Sequence, residues 1–466
     1  MMWEHVRRHA SRTPAAPALI DPRTTLSWGE LVRAVEHRCA GLPERPRRKP
    51  RLIALHRRAD TAWVVDLLAL RVKGYAVLAI PEAMPANPAT ALADELGAAG
   101  VLRGGPEVKF TEHEGADLGD TALVHLTSGT TGTARGVLRS AANLHDEASA
   151  VAHSLELDTA HAVLMGTPVT HSFASGLLFA ALLAGAPSIL VPHYDPAALA
   201  MLALRHRPGT IAGTPYVLRA LAGTEAIRQA GLPGLRYPLC GGAPLHPSWA
   251  DLWLRTTGVH ICQEYGLSEG GIATMNLRDA AACPESVGVP VPRVDIRVLD
   301  ADGRPAPAGT VGRIVVDRPA NPTTYLSPGG RHRPIPAVDD GTAGGLDTGD
   351  LGFVDPQGLL HLTGRAKLLV NVAGAKVSPV EVEQRLLDHP AVLDAVVVGV
   401  ADPDRGESVA AMVETTPGAT IRELAGHLRE HLSSFAVPRR WALTDTIPRT
   451  PAGKPDRARI RHLLEG

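Results

Sequence analysis

The chain has 466 residues, of which 45% are hydrophobic and 20% charged, and its net charge is −1. This length is typical of two to four domains, and the balanced charge excludes both a nucleic-acid-binding surface and a disordered acidic tail. The four cysteines lack the spacing of a metal site or redox motif, which favours a reducing compartment. The amino-terminal segment MMWEHVRRHASRTP lacks the apolar core of a secretion signal, so we expect a cytoplasmic protein.

A loop rich in glycine and hydroxyl groups, TSGTTGTARG (Thr127–Gly136), follows a predicted strand at Ala122–Thr127. A predicted helix over Ser140–Leu157 comes next, with Ser140 as its cap. Glycines let backbone N–H groups turn toward an anion, and the hydroxyls add further donors. The segment is not a Walker A sequence, because no Gly-Lys-Ser/Thr follows at the required spacing. Alone, it is consistent with an ordinary turn as well as with a phosphate-binding loop.

An apolar stretch at Gly176–Pro192 is nearly long enough to span a bilayer. Gly185, Pro187 and Ser188 divide it into a short helix and a short strand, and both have the length of buried core elements. We therefore predict no membrane span.

Further along the chain, three segments place functional residue types beside glycines. LRYPLCGGAPL (Leu235–Leu245) ends a strand-like run in Gly-Gly, which allows a planar ligand to approach the backbone closely. ICQEYGLSEGG (Ile261–Gly271) sets Tyr265 four residues before Glu269, an aromatic face that suits a base and a carboxylate that suits a metal ion. The third segment, residues 346–383, contains Asp350, Arg365, Lys367 and Gly374.

Lysine is rare, because only six of the 47 basic residues are lysine. An ammonium is a compact point charge on a flexible stem, so arginine does not replace it in every role. Lys454 lies in IPRTPAGKPDR (Ile447–Arg457), where prolines stiffen the chain, and Lys367 follows the pair Gly364–Arg365. Taken alone, the presence of any one lysine is as consistent with chance as with a specific role.

Together and in this order, these segments resemble the superfamily of adenylate-forming enzymes: acyl-CoA synthetases, aryl-acid ligases, luciferases and the adenylation domains of peptide synthetases. The resemblance covers nearly the whole chain, from TLSWGELV (Thr25–Val32) to Lys454. It implies that ATP and Mg²⁺ activate a small carboxylic acid as acyl-AMP, and that pyrophosphate leaves. The acyl group then passes to the thiol of CoA or of phosphopantetheine on a holo-carrier protein.

The resemblance also implies a nucleotide site. Its phosphate-binding residues would be Thr127, Ser128, Gly129, Thr130, Thr131, Gly132 and Arg135. Its adenine- and ribose-binding residues would be Gly242, Ala243, Tyr265, Gly266, Ser268, Asp350 and Arg365. Within this set Tyr265 would stack on adenine, and Asp350 would accept both ribose hydroxyls with support from Arg365. Mg²⁺ would be held by Glu269 and Thr130.

For the acid and the lid, the resemblance assigns further roles. His171, Ser172 and Gly241 would line the acid pocket, although a satisfied core histidine is nearly as good an interpretation of His171. Lys454 and Glu269 would be catalytic, the lysine by reaching both the attacking carboxylate and the α-phosphate. The resemblance further implies a hinge at Lys367 and a thiol tunnel lined by Gly374.

Two departures from the family pattern bear on function. The family loop reads Thr-Gly-x-Pro-Lys-Gly, whereas this chain has Thr-Gly-Thr-Ala-Arg-Gly, in which Arg135 keeps the charge. Ser172 stands where peptide-synthetase domains carry the aspartate that pairs with the α-ammonium of an amino acid. Because serine supplies no charge there, we expect a fatty, aryl or other acid rather than an α-amino acid.

The resemblance implies an α/β fold. Residues 1–364 would form a large amino-terminal domain of layered sheets and helices with a β-rich subdomain, and residues 365–466 a small, mobile α+β lid. Locally, the sequence predicts an amphipathic helix in PVEVEQRLLDHP and a buried strand at Val392–Val400.

The first functional hypothesis is an acyl- or aryl-CoA synthetase. The second is an adenylating enzyme that loads a carrier protein or another nucleophile, and the sequence does not separate it from the first because both acceptors present the same thiol. The third is a non-catalytic nucleotide-binding relative, against which the retention of Lys454, Glu269 and Asp350 argues.

Overall fold

The computed structural model describes residues 2–43, 52–105, 108–110, 118–128, 134–338, 345–450 and 453–465, without the side chains of residues 109, 110, 128 and 134. Its helices are α1 (Met2–Arg12), α2 (Trp28–Ala40), α3 (Thr61–Val72), α4 (Ala86–Glu95), α5 (Ala141–Ser154), α6 (Ser172–Ala184), α7 (Pro196–His206), α8 (Pro215–Ala222), α9 (Glu225–Ala230), α10 (Pro247–Thr257), α11 (Pro379–Leu387), α12 (Ile421–His431) and α13 (Arg457–Glu465).

The strands of the first half are β1 (Pro17–Ile20), β2 (Thr25–Ser27), β3 (Leu52–His56), β4 (Ala76–Ile80), β5 (Gly100–Leu102), β6 (Lys109–Phe110), β7 (Thr121–Ser128), β8 (Ala134–Ser140), β9 (Val163–Met165), β10 (Ser188–Leu190), β11 (Thr210–Gly213) and β12 (Tyr237–Cys240). Those of the second half are β13 (Cys262–Leu267), β14 (Gly271–Met275), β15 (Val289–Pro290), β16 (Asp295–Leu299), β17 (Gly312–Asp317), β18 (Thr324–Ser327), β19 (Arg331–Pro334), β20 (Ala337–Val338), β21 (Gly345–Val354), β22 (Leu360–Arg365), β23 (Val370–Val372), β24 (Ala375–Val377), β25 (Val392–Asp402), β26 (Gly406–Thr415) and β27 (Arg440–Thr444).

Two large sheets form the layers of the amino-terminal part. The first has the strand order β15-β14-β13-β12-β11-β9-β10-β1-β2, and the second has the order β19-β18-β8-β7-β4-β3-β5-β6. The largest hydrophobic cluster joins them, because Trp28 of α2, Trp63 of α3 and Leu178 of α6 pack with Val163 of β9 and residues of β4 and β7. Helices therefore lie between two sheets, and the burial of their apolar side chains is the main force that holds the layers together.

The apolar stretch at Gly176–Pro192 forms part of this core, as predicted. Nearly all of α6 is buried, α6 ends at the left-handed Gly185, and β10 follows as a fully buried strand. Among the residues that the structure describes, no helix is both long and apolar enough to cross a membrane.

Two smaller sheets complete the fold. The third has the order β16-β17-β21-β20 with β22 paired to β21, and the fourth has the order β24-β23-β26-β25 with β27 paired to β26. Helices α11 and α12 pack against one face of the fourth sheet and α13 against the other. The α/β fold with a large amino-terminal part, a β-rich subdomain and a small carboxyl-terminal part is thus confirmed.

The chain passes from the third sheet to the fourth through a short 3₁₀ turn, Ala366–Leu368. Strand β22 ends at Arg365, and β23 begins at Val370. The domain boundary at residue 364 and the mobility of the lid remain predictions, although the change of sheet falls at the expected place.

Local sequence signals explain most element ends near the site. Ser140 caps α5 by accepting a hydrogen bond from the backbone N–H of Asn143, as predicted. The predicted strand before the glycine-rich loop is confirmed as β7, and α11 and β25 match the predicted helix and strand. The structure adds β8 after the loop, an antiparallel partner of β7 that the sequence pattern did not predict.

Candidate active site

The carboxyl ends of β12 and β13 lie side by side in the first sheet. These strands are parallel, and Cys240 pairs with Gln263, so the next residues, Gly241 and Glu264, are also neighbours. Ligands of α/β proteins bind in the crevice beyond such strand ends. The predicted Gly-Gly segment therefore lies at the edge of the sheet where a ligand is expected.

A hydrogen-bonded triad joins this edge to the third sheet. The hydroxyl of Tyr265 donates to Asp350 Oδ2 at 2.7 Å, and Arg365 Nε donates to Asp350 Oδ1 at 2.6 Å. Asp350 and Arg365 face each other in the register of β21 and β22. Each carboxylate oxygen can accept a second hydrogen bond, so Asp350 can still receive two hydroxyl groups of a ligand.

The ring of Tyr265 is buried in a cluster with Ala273, Val287 and Ile314. Burial, the Asp350 charge and the hydrogen bond to it raise the pKa of the Tyr265 hydroxyl, so this group stays a donor. Its contact with Asp350 is a role that the sequence did not predict. Stacking of Tyr265 on adenine stays a prediction, and so do the roles of Ala243 and Gly266.

The neck of the β7–β8 hairpin lies beside Glu269. Thr127 pairs with Arg135 at this neck, and the Arg135 guanidinium lies 5.8 Å from the centre of the Tyr325 ring. The Tyr325 hydroxyl in turn donates to Glu269 Oε1 at 2.7 Å. The predicted phosphate loop and the predicted metal carboxylate are therefore brought together, with Tyr325 between them.

Four residues of the predicted phosphate loop, Gly129, Thr130, Thr131 and Gly132, lie outside the described residues, and for Ser128 only the backbone is described. Their roles stay predictions, including that of Thr130 in metal binding. Glu269 itself fits Mg²⁺, which prefers oxygen ligands and is commonly held by one or two carboxylates together with phosphate oxygens. Among the described residues, Tyr325 is the only hydrogen-bond partner of its carboxylate.

A buried ionic network fixes the backbone just before Glu269. Arg139, which is fully buried, donates to Glu147 Oε2 at 2.7 Å and to the carbonyl of Ser268 at 3.2 Å. The other oxygen of Glu147 accepts the N–H of Ile272 at 2.8 Å. Glycine is needed at 271, because an added Cβ would lie 2.6 Å from the Glu147 carboxyl carbon. No sequence pattern predicted this network, since charge alone does not reveal which arginines are buried.

Lys454 reaches the same place from the carboxyl-terminal part. A Cβ added to Gly242 would lie 2.8 Å from Lys454 Cε and 3.2 Å from Nζ. The residue as a whole is exposed, yet desolvation lowers the pKa of its ammonium, while Glu264 opposes that shift. The charges of Asp350 and Glu269 also favour the protonated form of this ammonium, so the predicted catalytic lysine lies within the electrostatic influence of the predicted ribose-binding and metal-binding carboxylates.

The loop that carries Lys454 is held against α8. Arg449 Nη1 donates to the carbonyl of Gly453 at 2.8 Å, and its guanidinium lies 4.0 Å from the centre of the Tyr216 ring. Arg449 also pairs with Asp394 of β25. A cavity of about 470 Å³ opens beside this loop, lined by Thr170, Tyr216 and residues 446–450. The carboxyl-terminal part is thus seen with Lys454 turned toward the site.

His171 and Ser172 begin α6 on the opposite wall. Burial, and to a lesser degree Lys454, lower the pKa of His171 to about 4, so this imidazole is neutral at physiological pH. Its Nε2 is buried with no hydrogen-bond partner among the described residues, which is not the environment of a satisfied core histidine. Ser172 Oγ lies 3.1 Å from Ser268 Oγ, so the predicted acid pocket and nucleotide site share a wall.

The remaining predicted residues lie in the link and in the carboxyl-terminal part. Lys367 is exposed in the 3₁₀ turn between β22 and β23. Gly374 forms the exposed turn between β23 and β24, with a φ of 95°. The roles of Lys367 as a hinge and Gly374 in a thiol tunnel stay predictions.

Comparisons with known proteins agree with this geometry. The AMP-binding enzyme family matches residues 86–326, and the AMP-binding enzyme C-terminal domain matches residues 381–454. The chain is 32% identical over 349 residues to a feruloyl-CoA synthase from Amycolatopsis sp, which covers 74% of this chain and 70% of that protein. It is also 32% identical over 361 residues to the fatty acid–acyl-carrier-protein ligase ScoC from Streptomyces coeruleorubidus, with coverages of 74% and 68%.

A solved structure shows the same fold over the whole length. The crystal structure of ATP-bound MatB from Rhodopseudomonas palustris has a TM-score of 0.83 and 24% identity, and the match covers 99% of each chain. The two parts described above are therefore arranged as in a known fold, including the carboxyl-terminal part that carries Lys454.

Proposed function

We infer the function from one premise: the chain belongs to the AMP-binding enzyme family, as its adenylate-forming motifs predicted. It is an AMP-forming acid–thiol ligase, which activates a carboxylic acid as acyl-AMP, releases pyrophosphate and transfers the acyl group to a thiol. The observation that carries this proposal is the approach of Lys454 to Gly242, where the charges of Asp350 and Glu269 also act on its ammonium. A cation from one part thus faces the carboxylates of the other.

In the first half-reaction, this chain's own residues hold the nucleotide and the acid. Asp350, fixed by Tyr265 and Arg365, accepts the ribose hydroxyls. The loop between β7 and β8 binds the phosphates. Glu269 with Thr130 would hold Mg²⁺, which when bound would offset phosphate charge. Lys454 stabilises the negative charge as the acid carboxylate attacks the α-phosphorus.

In the second half-reaction, the small carboxyl-terminal part turns about Lys367 and withdraws Lys454. Rotation admits the thiol along the segment that contains Gly374, where small residues leave room. The exposed 3₁₀ turn at Ala366–Leu368 supports this hinge, because it lies between two sheets and not within either.

The substrate is a fatty, aryl or other acid that carries no α-ammonium group. Ser172 offers only a hydroxyl at the position where a carboxylate would be needed to pair with such a group. CoA is the first candidate acceptor, supported by the relative named as a feruloyl-CoA synthase. A carrier protein is the alternative, and it is favoured by the equally similar relative named as an acyl-carrier-protein ligase. The use of ATP and the four free cysteines support a cytoplasmic location.

The experiment that tests this function has two stages. Pyrophosphate exchange is measured with a panel of fatty, aryl and amino-substituted acids, and each active acid is then offered free CoA or a holo-carrier protein. We expect exchange with at least one acid and a thioester with one acceptor. Exchange without any thioester would point to another nucleophile, and ATP binding without exchange would support the non-catalytic alternative.

A further inference from the structure

A buried carboxylate of the site has no assigned role. Glu264 is 5% exposed, and its Oε2 is buried with no hydrogen-bond partner among the described residues. Burial of a carboxylate without a hydrogen bond or a counter-charge is strongly unfavourable. Here burial raises the pKa of Glu264 to about 8, while Lys454 opposes that shift. In the ligand-free protein burial thus favours the protonated carboxyl group, and a positive partner beside Glu264 would favour its ionised form.

Two glycines create the space that Glu264 occupies. A Cβ added to Gly241 would lie 1.6 Å from Glu264 Oε1, so any other residue at this position would displace the carboxylate. A Cβ added to Gly266 would lie 3.1 Å from Oε2. Since Gly241 precedes Gly242, where Lys454 arrives, the carboxylate lies at the strand ends next to the reaction centre.

Lys454 does not satisfy this carboxylate. Among the described residues, no ion pair within 4.0 Å joins Glu264 to any basic group. The proposed mechanism also uses the Lys454 ammonium on the reacting carboxylate and the α-phosphate, and then withdraws it with the carboxyl-terminal part. A positive group that keeps Glu264 ionised through both half-reactions would therefore have to come from a bound ligand.

We propose that Glu264, in the space left by Gly241, binds a protonated amine on the acyl portion of the acid substrate. This inference rests on the proposed function and narrows its substrate class to acids that carry a basic amine. The amine lies beyond the α-carbon, because the serine at position 172 supplies no α-ammonium partner. An ammonium that donates to a buried carboxylate forms a charge-assisted pair, the strong class of hydrogen bond.

The test compares acids that differ in one group only. Matched sets are β-alanine, β-hydroxypropionate and butyrate; δ-aminovalerate, δ-hydroxyvalerate and hexanoate; and the meta-aminomethyl, meta-hydroxymethyl and meta-ethyl benzoates. Pyrophosphate exchange is measured for the wild type, for Glu264→Gln and for the control Asp251→Asn, an exposed acid on α10. In at least one set we expect kcat/KM to be about tenfold or more higher for the amine than for its methyl analogue, and Glu264→Gln to remove that preference.

Each result decides the inference. Loss of amine preference in Glu264→Gln with unchanged rates for the methyl acids, and unchanged preference in Asp251→Asn, supports it. Equal loss for every acid would show that Glu264 serves Lys454 and would overturn it, as would a preference for hydroxyl or methyl acids in the wild type. Pyrophosphate exchange with neutral acids alone would overturn the role of Glu264 in amine binding and leave the proposed ligase function intact. No exchange with any acid would overturn both the role of Glu264 and the ligase function.

Discussion

The side-chain end of Lys454 lies against Gly242, so closely that a Cβ at Gly242 would come within 2.8 Å of the lysine Cε. Gly242 also has a φ of 80°, a conformation that L side chains rarely adopt. Glycine is therefore required at position 242 for two reasons. The backbone takes a left-handed conformation after β12, and the missing side chain leaves room for Lys454 of the carboxyl-terminal part. This contact places the only lysine of its loop where adenylation is proposed to occur.

Lys454→Ala tests the role of the ammonium. Because a positive charge aimed at the developing negative charge is typically worth about 10²–10³-fold in rate, we expect pyrophosphate exchange to fall at least that far. A preformed acyl-adenylate should still react with its thiol, since the proposed rotation withdraws Lys454 in that step. Arg461→Ala, an exposed basic residue on α13, is the matched control and should keep exchange. Full exchange in the Lys454 variant would exclude it from adenylation.

Gly242→Ala tests the contact itself. The added Cβ would push Lys454 aside, so we expect adenylation to slow by about tenfold or more while ATP still binds. Gly234→Ala is the matched control, because Gly234 has a φ of 87° and nothing lies within 4 Å of its added Cβ. Both variants carry the same backbone strain, of order 1–3 kcal/mol. If exchange falls equally in both, strain and not the Lys454 contact explains the loss.

The sequence predicted which residues form this site better than it predicted the side chains that contact them. Asp350 and Arg365 were recognised through motifs, and the structure pairs them because β21 and β22 bring them opposite each other. Glu264 lies beside the recognised Tyr265, yet its burial depends on the absence of a side chain at Gly241, a residue of another strand. The burial of Arg139 was likewise not predicted, because its partners Glu147 and Ser268 lie on other elements of the fold. The register of neighbouring strands decides which residues lie opposite each other. A single sequence does not reveal that register, least of all where a strand such as β8 is not predicted.

Asp350→Ala tests ribose recognition. A buried carboxylate that accepts two hydroxyls gains about 1.5–3 kcal/mol per charge-assisted hydrogen bond, so ATP affinity should fall by on the order of tenfold or more. The same change leaves the Tyr265 hydroxyl without its acceptor, so thermal stability is measured in parallel. Tyr265→Phe is the control that removes the tyrosine hydroxyl and keeps the Asp350 carboxylate. Unchanged ATP affinity in a folded Asp350 variant would remove this residue from the ribose site.

The raised pKa of Glu264 predicts how the stability of the ligand-free protein depends on pH. The folded carboxyl has a pKa of about 8, above its ordinary value of 4.5, so the native state binds the proton more tightly than the unfolded state. The associated stability is complete below the unfolded value and is lost as pH rises through the folded value. Relative to Glu264→Gln, the wild type should therefore melt progressively lower between about pH 5 and pH 9. A pH-independent difference in melting temperature would contradict a raised pKa.

Lys367→Pro tests the hinge. Proline fixes φ near −65°, a value compatible with the observed 3₁₀ turn. The variant should therefore keep the arrangement seen here, in which Lys454 faces Gly242, and with it a substantial fraction of pyrophosphate exchange. Thioester formation should be lost, because a fixed φ prevents the change in backbone angles that rotation about this turn requires.

Lys367→Ala is the matched control for this variant, because it removes the same exposed side chain and leaves the backbone free. Proline also disfavours a helical conformation at Ala366, the residue before it, so local destabilisation is the competing explanation. Exchange, thioester yield and melting temperature are measured on one preparation of each protein. Destabilisation lowers both activities together with the melting temperature, whereas a locked hinge lowers thioester yield alone. Equal loss of both activities in a stably folded proline variant would show that the chain turns elsewhere.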